Sequence, residues 1–85
     1  MKLTKIEAKI IVLLDNLSNE NKTYYFLAEK LGFSYHYIVL TVRIMVIKNW
    51  VKAEYHTSKN GRRAYLMLTE IAPVTEAKQL LAVLP

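Results

Sequence analysis

A chain of 85 residues and 9.9 kDa holds one modest core, because a domain of this size buries only roughly 60% of its unfolded surface; a Rossmann domain, a TIM barrel or an enzyme with a deep cleft between lobes is excluded. Hydrophobic residues make up 53% of the sequence, which sets it apart from disordered chains. Twelve Lys and Arg against seven Asp and Glu leave a net charge of +5 and a pI near 9.6, an excess that suits an anionic partner, either nucleic acid or a membrane surface.

The first predicted element runs from Leu3 to Leu17. Thr4 and Glu7 have the Thr-x-x-Glu spacing of a capping box. Ile6, Ile10, Leu13, Leu14 and Leu17 then recur at steps of three and four, the mark of a helix with one apolar stripe. Asn16, Ser18, Asn19, Asn21 and Lys22 read as a polar loop. A second helix spans Tyr24 to Leu31, capped by Thr23, with Leu27, Ala28 and Leu31 on its apolar side. One of the adjacent Tyr24 and Tyr25 belongs to the core, since neighbouring helical residues do not share a face. Gly32 stands where a helix ends in the left-handed conformation, and Ser34 is placed to cap the next helix, Tyr35 to about Lys48. A short helix, a tight Gly-containing turn and a longer helix give the helix-turn-helix spacing. Ile38, Val42 and Met45 should face the core, and Asn49 should end the helix so that Trp50 and Val51 pack back.

From Val51 the periodicity changes to two. Val51, Ala53 and Tyr55 alternate with Lys52, Glu54 and His56, and Ala64, Leu66 and Leu68 share a face of the returning strand. Asn60-Gly61 is the expected turn, because both residues tolerate positive φ. A last helix is expected within residues 70–84, carrying Ala77, Leu80, Leu81, Val83 and Leu84 and starting either just before Pro73 or at it.

Several functions are disfavoured by the residue inventory. Cysteine is absent, which removes disulfides, thiolate metal sites and thiol nucleophiles and favours an intracellular, cytoplasmic setting. Lys5, Glu7 and Lys9 interrupt the apolar run of a secretory leader, and the uninterrupted apolar stretches, such as Ile44 to Ile47, are far below a membrane span. His36 falls on a helix and His56 on a strand, and neither is expected to have an acidic partner at a fixed offset; the carboxylates are scattered, and the only glycines are Gly32 and Gly61. No catalytic set, metal site or cofactor is therefore expected.

The element order, three helices, two strands and a helix, resembles the winged helix-turn-helix fold, an α+β, mostly α architecture with a two-stranded wing and a C-terminal helix. The similarity is to small MarR-like or PadR-like regulators. It is carried by Leu27-Ala28-Glu29-Lys30-Leu31-Gly32-Phe33-Ser34, Lys48-Asn49-Trp50-Val51, Asn60-Gly61-Arg62-Arg63 and Tyr65-Leu66-Met67-Leu68-Thr69-Glu70. The Cys-free, Ile-, Tyr- and Lys-rich composition suits a thermophilic archaeal or archaeal-viral source. The resemblance implies one domain over residues 1–85, with the helix-turn-helix at 24–48, the wing at 51–68 and a dimerisation helix at 70–84. It implies sequence-specific binding of double-stranded DNA as a transcriptional regulator, with helix 35–48 in the major groove and the basic wing on backbone or minor groove. Tyr35, His36, Val39, Leu40 and Arg43 would then approach the bases, Arg43 either bonding guanine O6 and N7 together or touching only phosphate, while Ser34 caps its helix near a phosphate. Thr23 and Tyr24 would meet a phosphate at a helix N-terminus, and Lys59, Asn60, Arg62 and Arg63 would form the wing contact.

Two features extend this reading. The third helix is richer in Ile, Val, Leu and Met than one core-facing stripe requires, so Leu40, Ile44 and Ile47 cannot all be buried. Its alternative use is as a winged-helix protein-interaction surface. The apolar first and last helices suggest a two-fold homodimer through Ile6, Ile10, Ala77, Leu80, Leu81 and Leu84, or else packing of the last helix onto its own domain.

Overall fold

The computed structural model describes residues 3–59 and 61–82. Among these, four α-helices and one antiparallel hairpin follow in the order α1 (Lys5–Asn16), α2 (Tyr24–Leu31), α3 (Tyr35–Ile47), β1 (Val51–Ser58), β2 (Gly61–Leu68) and α4 (Val74–Ala82), with a single 3-10 turn at Asn19–Asn21 between α1 and α2. The fold is a winged helix-turn-helix, mostly helical, as the element order implied.

Local chemistry starts and stops the helices where the sequence places those signals. The Thr4 hydroxyl oxygen accepts from the Glu7 N–H at 3.3 Å, and the Glu7 carboxylate accepts from the Thr4 N–H at 2.9 Å, completing the capping box. The Thr23 side chain accepts from the Phe26 N–H at 3.3 Å, and Gly32 ends α2 at φ 75°, where the Phe33 N–H returns to the Ala28 carbonyl. α3 ends in a Schellman turn. Asn49 takes φ 64°, its N–H donates to the Val46 carbonyl, and the Trp50 N–H donates to the Met45 carbonyl. Met45 and Trp50 are both buried, so the same turn that stops the helix folds the chain back onto the core.

The core is a single cluster. α1 contributes Ala8, Ile10, Ile11 and Leu14, α2 Leu27 and Ala28, α3 Ile38, Val42 and Met45, the hairpin Val51 and Leu66, and α4 Ala77. Register pairs Val51 with Leu68 and Ala53 with Leu66, placing the alternate residues on the core face. The hairpin is tied down at its base: the Leu66 N–H donates to the Lys22 carbonyl at 2.7 Å, and the Thr69 N–H to the Trp50 carbonyl at 3.0 Å.

Three expectations are corrected. Ser58 pairs with Gly61, so Gly61, at φ 111°, opens β2 instead of completing the turn; Asn60 lies outside the described residues. α4 begins at Val74, after Pro73. Pro73 supplies only a carbonyl, which accepts from the Ala77 N–H at 2.9 Å, the position at which its missing N–H costs nothing. Ile10 and Ala77 are completely enclosed because α4 packs along α1 of the same chain; they are core residues and have no surface to offer a second copy. Ile6, Leu80 and Leu81 are partly buried against that core, and Leu84 lies outside the described residues.

Candidate nucleic-acid interface

α3 is presented by the turn before it and held from behind. The Ser34 hydroxyl oxygen accepts from the Tyr37 N–H at 3.1 Å, and α2 and α3 meet at 114°, within the roughly 90–120° of helix-turn-helix pairs. Ile38, Thr41, Val42 and Met45 face inward. His36, Leu40, Arg43 and Ile47, at steps of four, three and four, form the opposite, exposed face. Leu40 is 42% exposed, Ile44 52% and Ile47 75%, so the apolar excess of this helix does reach the surface.

The far end of α3 is anchored electrostatically. Lys48 Nζ donates to Glu7 Oε2 at 2.6 Å, joining the C-terminus of α3 to the first turn of α1. The Lys48 ammonium also lies 4.6 Å from the centre of the Trp50 ring. Burial by itself would raise the Glu7 carboxyl pKa. The hydrogen bonds from Lys48 and Thr4, with the Lys48 charge, outweigh burial and hold it below the ordinary carboxylate range.

Between α2–α3 and the hairpin lies an open groove of about 1120 Å³. Arg43 from α3 and Arg62 and Arg63 from β2 share it with Tyr24, Tyr25, Tyr35, Tyr55 and Tyr65, five of the six tyrosines of the chain. These rings are ordered by one another. Tyr25 stacks on Tyr35 at 4.4 Å, and Tyr24 meets Tyr35 edge to face at 6.0 Å. The Arg62 guanidinium sits 4.3 Å from the centre of the Tyr55 ring, which holds it over the groove. Burial, with Tyr55 and Tyr35 nearby, raises the Tyr24 pKa against the opposing effect of Arg43; its hydroxyl therefore stays a proton donor, suited to an anionic acceptor. Glu20 and Glu29 also border the groove, so its charge is not uniformly positive.

Of the residues singled out in the sequence, Thr23, Tyr24, Tyr35, Val39, Arg43, Arg62 and Arg63 all line this groove. Ser34, His36 and Leu40 lie exposed on or before α3, outside the groove, and Lys59 is exposed beside the hairpin turn. Tyr25, Tyr55, Tyr65 and His56 were not expected there. For Tyr55 a signal existed: it shares a strand face with Val51 and Ala53, but it lies beyond the end of the helical core and is 57% exposed. His56 meets Tyr65 edge to face at 5.1 Å from the neighbouring strand and, against expectation, has an acidic neighbour, Glu54, whose Oε2 lies 3.6 Å from its Nε2 because residues two apart on a strand share a face. Among the described residues no group of three or more His, Asp or Glu is arranged to hold a metal ion. No single helix among them is long and apolar enough to cross a membrane.

No protein-family model matches the chain, and no curated protein matches it in sequence. Solved structures do. The adhesin competence repressor AdcR of Streptococcus pyogenes superposes with a TM-score of 0.76 at 23% identity, over 95% of this chain and 59% of its own. ZitR of Lactococcus lactis, in a structure of the wild type in complex with DNA, superposes with a TM-score of 0.73 at 26% identity, over 96% of this chain and 53% of its own. The chain thus spans little more than half the length of either protein. Its exposed α3 and its hairpin belong to an architecture found in a repressor and in a DNA-bound protein.

Proposed function

We propose that the chain binds double-stranded DNA as a sequence-specific transcriptional regulator, inserting α3 into the major groove and laying the hairpin on the adjoining backbone or minor groove. The observation that carries this reading is that Arg43 on α3 and Arg62, held over Tyr55 on the hairpin, line one open groove, with Arg63 at the adjoining position of the same strand. Helix and wing then address neighbouring parts of one duplex with the same sign of charge. The DNA complex of ZitR supports it. A MarR-like or PadR-like subtype, an archaeal source and a cytoplasmic, DNA-associated location are the finer parts of the same reading, supported by the motifs and composition alone. The division into a helix-turn-helix at 24–48, a wing at 51–68 and a dimerisation helix at 70–84 belongs to the same reading. A homodimer through Ile6, Leu80 and Leu81, which remain partly exposed beside the α1–α4 packing, would match a palindromic site.

The test is fluorescence anisotropy with a pool of duplex DNA across a salt series, for the wild type and an Arg62→Ala/Arg63→Ala variant. Each phosphate contact contributes about 0.9 to the slope of log K against log salt. The variant is expected to lose affinity and about 1.8 of slope. Absence of binding at low salt refutes the DNA reading. A second reading rests on the exposed Leu40, Ile44 and Ile47: a protein-interaction surface on α3, whose binding would be nearly insensitive to salt.

A further inference from the structure

The exposed face of α3 combines two properties. Around Arg43 it is apolar, with Leu40, Ile44 and Ile47 open to solvent, and α3 contains no acidic residue. It is also framed by cations on both flanks. On one side lies the groove that Arg62 and Arg63 line and that Arg43 borders from the face itself. On the other, Phe33 and Tyr37, in ring contact at 5.1 Å, border a smaller hollow with Lys5 and Lys9. Among the described residues, the ion pairs found are Lys48–Glu7, His56–Glu54 and Lys78–Asp15, and none of them draws on these flanking cations. An apolar strip between two rows of positive charge is complementary to a surface that is anionic at both edges and carries apolar groups on its floor. The DNA major groove has that form: phosphates line both edges, and the thymine 5-methyl is the apolar group on its floor.

We infer that α3 reads thymine methyl groups, Leu40 and Ile47 each packing on the methyl of an A·T pair on either side of the pair that Arg43 addresses. This rests on the DNA-binding reading above and adds the kind of sequence that is read. The spacing is compatible: Leu40 and Ile47 are separated by two helical turns, roughly 10 Å along the axis, about three base steps, with Arg43 on the same face between them. Side chains that only bonded polar base edges would gain nothing from this composition, whereas a buried methyl contributes favourably at each A·T step. Specificity would then come from the position of thymines around one arginine contact, without the Asn, Gln or Ser usual on such helices.

The experiment compares duplexes that differ only in those methyls. Duplexes enriched by the protein from a randomised pool at low salt are resynthesised with deoxyuridine for thymidine, which removes the 5-methyl and leaves every hydrogen-bonding group. The enriched sites are expected to be A·T-rich, and binding to the uracil duplex to weaken about fourfold per methyl, about fifteenfold for two. Leu40→Ala and Ile47→Ala, at solvent-exposed positions whose folding circular dichroism verifies, are each expected to remove about fourfold of that discrimination while keeping the salt slope. Equal binding of both duplexes by the wild type, with a steep salt slope retained, overturns the methyl reading and leaves the DNA reading standing. Failure to enrich or bind any duplex overturns both.

Discussion

Replacing Glu7 by Gln removes one charge from the ion pair between the first turn of α1 and the end of α3, while retaining size and the ability to accept from Thr4. Glu7 is 3% exposed, and its Oε2 lies 2.6 Å from Lys48 Nζ. The Lys48 side chain is 21% exposed, so its ammonium can recover some hydration once the partner is lost. The cost therefore falls between the ~0.2–1 kcal/mol of exposed pairs and the ~3–5 kcal/mol of breaking a fully buried one; about 2 kcal/mol is expected. For a domain of this size that lowers Tm by about 8–16 °C. The effect has a definite pH dependence. The folded-state pKa of Glu7 is held below its ordinary value of 4.5. The stabilisation is then complete above 4.5 and is lost as pH falls through the folded-state value, where the carboxylate takes up a proton. Urea denaturation of wild type, Glu7→Gln, Lys48→Met and the double variant, at neutral pH and at progressively lower pH, measures both. The two single variants should be strongly non-additive at neutral pH, and the gap between wild type and Glu7→Gln should close in acid. A gap under ~0.5 kcal/mol at neutral pH, or one that persists unchanged in acid, refutes the assignment of this pair as the tie holding α3 to α1.

Ile10→Ala should cost about 2–5 kcal/mol in denaturation, because the side chain is fully enclosed and leaves a cavity, and light scattering should show no change in oligomeric state; a change of state at constant stability would restore the residue to an interface. Asn49→Ala should destabilise by ~1 kcal/mol, since φ 64° is costly for a residue with a Cβ and no local polar group, whereas Asn49→Gly should leave stability within ~0.5 kcal/mol of wild type by the same assay. Leu40→Ala, at an exposed position, should leave thermal stability within ~0.5 kcal/mol of wild type, so that any loss of DNA discrimination in that variant is read as a loss of contact.

The starts of α1, α2 and α3 and the end of α2 were legible from neighbouring residues, whereas the start of α4 was not. Thr4 with Glu7, Thr23, Gly32 and Ser34 act over three or four positions, and a capping hydrogen bond needs only local chain geometry. The wing pairing was legible for the same reason, although the positive-φ glycine proved to open the second strand and not to complete the turn. The apolar excess of α3 was visible as well, because a helix has only one core-facing stripe and the surplus has to be exposed.

Contacts across long sequence separations were decided by the tertiary structure. Lys48 finds Glu7 forty-one residues away, a partnership that no periodicity encodes. Ile10 and Ala77 look in sequence like residues free to meet a second copy, and only the packing of α4 along α1 encloses them. The gathering of tyrosines from α2, α3 and both strands beside three arginines follows from the angle between α2 and α3 and from the tie between Leu66 and Lys22. Hydrogen-bonding and apolar patterns report the state of a residue's own element, so the elements, most of their caps and their apolar faces can be read along the chain. Which faces meet, and which side chains converge on one groove, depends on how those elements pack, and only the folded chain decides it.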